Sequence, residues 1–126
     1  MHELAVCQGL IEAVERVAHA QRATAVHAVT VAVGTLSGVE PGLLARAFEV
    51  ARAGTVAALA QLHVDALPAR VACAQCGAHG DVPANRLLCP ACGDWQVRVI
   101  GGEQLMLTRV ELTRATETPT ATVALG

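Results

Sequence analysis

With 126 residues, an apolar fraction of 53% and one Phe and one Trp as its only aromatics, the chain can bury one modest aliphatic core plus a small satellite held by other means. The formal charge is −2 and all nine cations are arginines that form no patch, which argues against a nucleic-acid surface. Its Ala/Val-rich stretches are broken by Arg, Glu or His every few residues, which excludes a membrane-spanning helix.

From residue 4 to about 21, apolar Cys7, Leu10, Ile11, Val14 and Val17 recur at helical spacing opposite Gln8, Glu12, Glu15, Arg16 and His19. The pattern predicts an amphipathic helix that starts almost at the first residue. Over residues 26–33 the period becomes two, with Val29, Val31 and Val33 opposite Ala28, Thr30 and Ala32, which predicts a strand ending at Gly34. A turn at Ser37-Gly38 leads to Glu40-Pro41, where proline suits the first position of a helix. Leu43, Leu44, Ala47, Phe48 and Ala51 form the apolar stripe of that second helix, which stops near Gly54. Residues 55–60 could extend it. Residues 61–67 alternate, with Leu62, Val64 and Ala66 opposite His63 and Asp65, and predict a second strand ended by Pro68.

Beyond the cysteine-rich stretch, in which residues 82–85 read as loop, residues 95–100 and 104–112 predict two more β segments. They are joined at Gly101-Gly102, a pair suited to tight reversal. Residues 113–126, rich in Thr and Ala with Pro119, show no period and are expected to form a disordered tail. The order implies an α+β fold of two helices packed on a three-stranded sheet, with an inserted four-cysteine, zinc-ribbon-like module. The expected division is an α/β domain of residues 1–68 plus 101–112 and a zinc-binding domain of residues 69–100.

Cys73, Cys76, Cys89 and Cys92 form two C-x2-C pairs separated by twelve residues, each pair followed by glycine. That spacing lets two short turns present four thiolates to one tetrahedral zinc, and the glycine lets the backbone fold back beneath the second sulfur. A thioredoxin-like site needs only one pair, and an iron–sulfur cluster does not need paired knuckles. Two disulfides fit poorly, since the chain opens at Met1-His2-Glu3 without a secretory pattern and leaves Cys7 over, so a reducing cytoplasm is expected. Four thiolates close the coordination sphere, which makes the expected zinc structural and argues against an enzymatic one. Such a site supplies about 10 to 16 kcal/mol, enough to fold a segment with little core.

Met1-His2-Glu3 can close small chelate rings through the α-amine, the following backbone nitrogens and the imidazole. An all-nitrogen tetragonal set of this kind suits Ni(II) or Cu(II). Taken alone, the tripeptide reads more simply as a chain start with His2 exposed ahead of a helix. Cys7, on the apolar stripe, is expected to pack as a small hydrophobe, and His19, His27 and His63 to face solvent or a sheet edge.

Several blocks together carry a family resemblance. They are Met1-His2-Glu3-Leu4-Ala5, then Val31-x-Val33-Gly34-x-Leu36-Ser37-Gly38-Val39-Glu40-Pro41 with Leu44 and Ala47-Phe48-Glu49, the double knuckle, and Gly102-Glu103-x-Leu105 with Val110-Glu111-Leu112. In that order and spacing the chain resembles the HypA/HybF family of hydrogenase nickel-incorporation proteins. The resemblance implies a nickel metallochaperone, not an enzyme, that passes Ni(II) to the large subunit of a [NiFe]-hydrogenase with a HypB-type GTPase, and in some members supports urease maturation. It places nickel on the Met1 amine, the His2 imidazole and backbone nitrogen and the Glu3 backbone nitrogen, with the Glu40 carboxylate as a neighbour. It places zinc on Cys73, Cys76, Cys89 and Cys92. Some members carry histidines beside both cysteine pairs; here His79 follows the first pair, while Gly93-Asp94 follows the second. The competing expectation is a zinc-ribbon module that docks protein or nucleic acid, with the tripeptide incidental.

Overall fold

The computed structural model describes residues 2–115 and 121–125. Their order is α1 (Glu3–Ala20), β1 (Ala23–Gly34), α2 (Pro41–Ala51), β2 (Gln61–Leu67), β3 (Ala69–Cys73), β4 (His79–Val82), β5 (Val97–Gly101), β6 (Leu105–Arg114) and β7 (Ala121–Ala124). One sheet has the order β2-β1-β6-β7 and the other β4-β3-β5. The chain divides into a unit of residues 1–31, 40–65 and 106–126 and a unit of residues 32–39 and 66–105.

In the first unit, α1 buries Cys7, Leu10, Ile11, Val14 and Ala18, the stripe read from its 3.6-residue period. Arg22, at φ 57, takes the left-handed position just past the helix, and its N–H closes onto the His19 carbonyl. α2 buries only Leu44 and Phe48, four residues apart on one line of the helix, while Leu43 stays 47% exposed. The expected five-residue stripe is thus narrower, because the fully buried Leu44 and Phe48 fill the seam and Leu43 lies one residue off it. Residues 55–60 do not extend α2. Thr55 Oγ1 bonds the Arg52 carbonyl at 2.7 Å and accepts from Ala57 N–H at 3.1 Å, turning the chain so that Ala57 and Ala60 are fully buried.

The expected three strands are present as β2, β1 and β6, and a fourth, β7, extends them. The expected disordered tail of residues 113–126 is corrected at both of its described parts, since β6 runs on to Arg114 and residues 121–124 form β7; residues 116–120 and 126 lie outside the described residues. β7 pairs antiparallel with β6, with Val123 opposite Val110 and Ala121 opposite Leu112. Ala121, Val123 and Leu125 are half-buried while Thr122 and Ala124 are exposed, so a period of two does run through the segment.

The second unit is built on β3, whose Ala69 and Val71 join Val82 of β4 in a small core with Leu36, Leu87, Val97 and Val99 packed against it. β3 and β4 are strands where the sequence pattern predicts none, and Val82, expected in a loop, is the buried last residue of β4 because it packs on Ala69 and Val71. The Gly101-Gly102 pair does not form a hairpin either, since β5 pairs with β3 while β6 lies in the other sheet. Gly102, at φ 94, lies so close to the preceding loop that a Cβ would stand 2.7 Å from the Ala69 Cα and the Pro68 oxygen. A Cβ on Gly34 would stand 2.1 Å from the Gly102 oxygen, the same oxygen that accepts from Leu36 N–H at 2.7 Å. Glycine at both positions is what lets these backbones touch.

Candidate metal centre

Each knuckle is a tight turn hung from one sulfur. Gln75 and Cys76 N–H groups donate to Cys73 Sγ at 3.3 and 3.4 Å, and Ala91 and Cys92 N–H groups donate to Cys89 Sγ at 3.3 Å each. Gly77 and Gly93, at φ 76 and 78, then return their N–H groups to the carbonyls of Cys73 and Cys89. A residue with a Cβ is strained at such φ, which is why glycine follows both pairs. The Cys73 N–H bonds the Ala78 carbonyl at 2.8 Å and the Cys89 N–H bonds the Asp94 carbonyl at 2.9 Å, closing each turn at its base. Ala78 and Asp94 carry no sequence signal for this role, because only their main chains act. Gly80 of β4 accommodates the second knuckle, since a Cβ there would lie 2.6 Å from Pro90 Cγ.

The four sulfurs lie within 4.8 Å of one another, with Cys73–Cys92 at 3.7 Å and Cys76–Cys89 at 3.5 Å. A zinc with sulfurs at about 2.3 Å in a tetrahedron requires sulfur separations of about 3.8 Å, whereas a disulfide requires about 2.05 Å. The donor set and its spacing therefore fit zinc. The N–H of Cys92, then that of Ala91 and the neighbouring thiols, lower the Cys89 thiol to about 6. The Asp94 N–H pulls Cys92 down, but hydrogen bonding with Cys89 and burial outweigh it and push this thiol up to about 12. At Cys76 the Ala78 N–H likewise pulls down, but the sulfur of Cys89 and burial prevail and the thiol is raised. A metal entering the site thus meets a readily ionised thiol at Cys89 and displaces protons from Cys76 and Cys92. His79, in β4 opposite Ala72, is exposed and is not among the clustered ligands.

The amino-terminal residues belong to the first unit. Met1 lies outside the described residues. His2 is exposed at the N-cap of α1, with no side-chain cap, and its carbonyl accepts from Val6 N–H at 2.9 Å. The helical ladder begins with that bond, so the N–H groups of His2 and Glu3 precede it and contribute nothing to it. Glu3 is the one charged side chain buried among the described residues, at 7% exposure. The Glu40 carboxylate is the N-cap of α2, accepting from Gly42 N–H at 3.1 Å and Leu43 N–H at 2.7 Å. Among the other expected surface histidines, the His27 ring bonds Thr113 Oγ1 and His63 is exposed on β2. Cys7 is fully buried in α1, its thiol donating to the Leu44 carbonyl at 3.4 Å, and burial pushes that thiol up to about 11. It packs as the expected small hydrophobe. Among the described residues, no helix is long and apolar enough to cross a membrane.

A family model described as hydrogenase/urease nickel incorporation, metallochaperone, HypA matches residues 1–112. Over 112 residues the chain is 43% identical to a hydrogenase maturation factor HypA of Nitrosospira multiformis, covering 89% of this chain and 97% of that one. It is 37% identical to the corresponding factor of Aquifex aeolicus, with the same coverage. Among solved structures, the solution structure of the nickel metallochaperone HypA from Helicobacter pylori is similar, with a TM-score of 0.67 at 26% identity over 90% of this chain and 99% of that one.

Proposed function

This chain belongs to the HypA family of nickel-incorporation metallochaperones, and we propose that it carries Ni(II) at its amino terminus for the maturation of a [NiFe]-hydrogenase, with a resident zinc in its cysteine knuckles. The nickel ligands are the Met1 amine, the backbone nitrogens of His2 and Glu3 and the His2 imidazole, with Glu40 as a neighbouring carboxylate. The observation that carries this reading is the placement of His2: exposed, and ahead of the first bond of the α1 ladder. A metal can withdraw the amide protons of His2 and Glu3 without breaking an α-helical hydrogen bond, and an incoming partner can reach the ion from the solvent side. A planar nitrogen set leaves axial positions at which acceptor ligands take over stepwise. A zinc held by Cys73, Cys76, Cys89 and Cys92 would have no such opening, because four sulfurs would complete its sphere, which argues against a hydrolytic role. The partners on this reading are a HypB-type GTPase, the hydrogenase large subunit and, where present, urease maturation proteins.

The test is metal analysis of untagged protein. Replacing His2 with alanine, or adding residues ahead of Met1, is expected to abolish nickel binding while zinc content and the circular dichroism spectrum stay unchanged. An unaltered nickel stoichiometry in both variants would instead favour a docking module, for which Trp95, 73% exposed close after the second knuckle, is the available contact.

A further inference from the structure

The family model ends at residue 112, so β7 is a feature of this chain beyond the matched region. It occupies the outer side of β6, which would otherwise be a sheet edge with its N–H and C=O groups exposed to any other strand. The Leu125 N–H donates to the Thr108 carbonyl at 2.7 Å. With Val110 opposite Val123 and Leu112 opposite Ala121, the alternation of an antiparallel ladder makes Thr108, Val110 and Leu112 the residues whose backbone groups point to this side.

The sequence along that side is self-complementary. Around Val110 it reads Thr108-Arg109-Val110-Glu111-Leu112. If a second β6 is laid antiparallel about a two-fold axis at Val110, then Val110 faces Val110, Thr108 faces Leu112 and Arg109 faces Glu111. These pairs obey the parity just described, because Thr108, Val110 and Leu112 fall at hydrogen-bonded positions. Arg109 and Glu111 then fall at the non-hydrogen-bonded positions, where facing side chains come closest. The two-fold axis makes that ion pair twice. β7 offers nothing equivalent, since it sets Ala124 opposite Arg109 and Thr122 opposite Glu111. Its advantage is tethering, which gives it a high effective concentration at the edge without charge complementarity.

We propose that the outer side of β6 is a self-association edge for a second copy of this chain, paired about Val110, and that β7 covers it in cis. The test compares the full chain with a chain ending at Arg114, by light scattering across a dilution series, with zinc content and circular dichroism as checks on folding. The full chain is expected to remain monomeric and the shortened chain to dimerise. In the shortened chain, Arg109→Glu or Glu111→Arg puts like charges opposite each other at both positions and is expected to weaken the dimer about tenfold, and the two together to restore it. Val123→Pro in the full chain removes the N–H that faces the Val110 carbonyl and is expected to release the same dimer; it gives the answer should the shortened chain fail to fold. A folded shortened chain that stays monomeric overturns the proposal. So does a dimer indifferent to Arg109 and Glu111, or an equally dimeric full chain.

Discussion

The cysteine centre and the proposed nickel site at the amino terminus are built on opposite principles. The cysteine centre is fixed by the local fold: backbone N–H groups hold Cys73 and Cys89, glycines at positive φ close each turn, and the paired sulfurs stand 3.5 and 3.7 Å apart. At the amino terminus His2 has no side-chain cap contact and sits ahead of the helical ladder. On the proposed function, a closed set of four sulfurs would retain its ion, whereas a set assembled from a chain end would release it when other ligands compete. On that proposal, retention and transfer would differ with how much of each site the fold specifies.

The strongest way to break this comparison is to remove a sulfur. Cys73→Ser, or chelation of the zinc, withdraws most of about 10 to 16 kcal/mol from a unit whose own buried core is Ala69, Val71 and Val82. The expected outcome is loss of the β4-β3-β5 sheet, read as lost amide-exchange protection at Val71 and Val82. Acid acts in the same direction, because zinc binds the thiolates: with Cys89 lowered only to about 6 and Cys92 raised to about 12 in the metal-free centre, falling pH returns protons to the ligands and weakens the site. A sheet that kept its protection after chelation would mean that packing, not metal, holds this unit.

Gly34→Ala asks the reverse question with a smaller effect. The added Cβ meets the Gly102 carbonyl at 2.1 Å, backbone against backbone, so strands must shift, at a cost of roughly 3 kcal/mol. A lowered melting temperature with unchanged zinc stoichiometry is expected, since the knuckle bonds lie elsewhere in the sequence. Loss of zinc along with stability would tie the centre to the packing around Gly34.

These tests also mark what the residues disclosed on their own. The cysteine spacing and the apolar stripe of α1 could be read directly, because four ligands and a 3.6-residue period are each set by local geometry. β3 and β4 leave little mark in the sequence because they are short, and the alternation of Ala69, Arg70 and Val71 runs straight into the first cysteine turn. β7 escaped because Ala121, Thr122, Val123 and Ala124 differ little in polarity, and its pattern acquires meaning only opposite Val110 and Leu112. Gly101-Gly102 reads as a hairpin because glycine pairs serve two purposes, and close approach of backbones leaves no local mark in a sequence. For Glu40 the resemblance named a metal neighbour, while the local helix start, Glu40-Pro41, concealed a cap.

That residue supplies the finest test of the contrast. Glutamate is not among the side chains preferred at an N-cap, where Ser, Thr, Asp and Asn reach the free N–H groups with less chain to immobilise. Here its two oxygens nevertheless serve Gly42 and Leu43, and Pro41 between them has no N–H to satisfy. Glu40→Ala is therefore expected to cost about 1 kcal/mol through α2, and Glu40→Asn to recover most of it, because the amide oxygen caps without a charge. Nickel titration of the Asn variant then separates the two roles. Weakened nickel binding on an intact fold assigns the carboxylate to the transferable ion, whereas undiminished binding leaves Glu40 as a helix cap and confines the nickel site to the nitrogens of the first three residues.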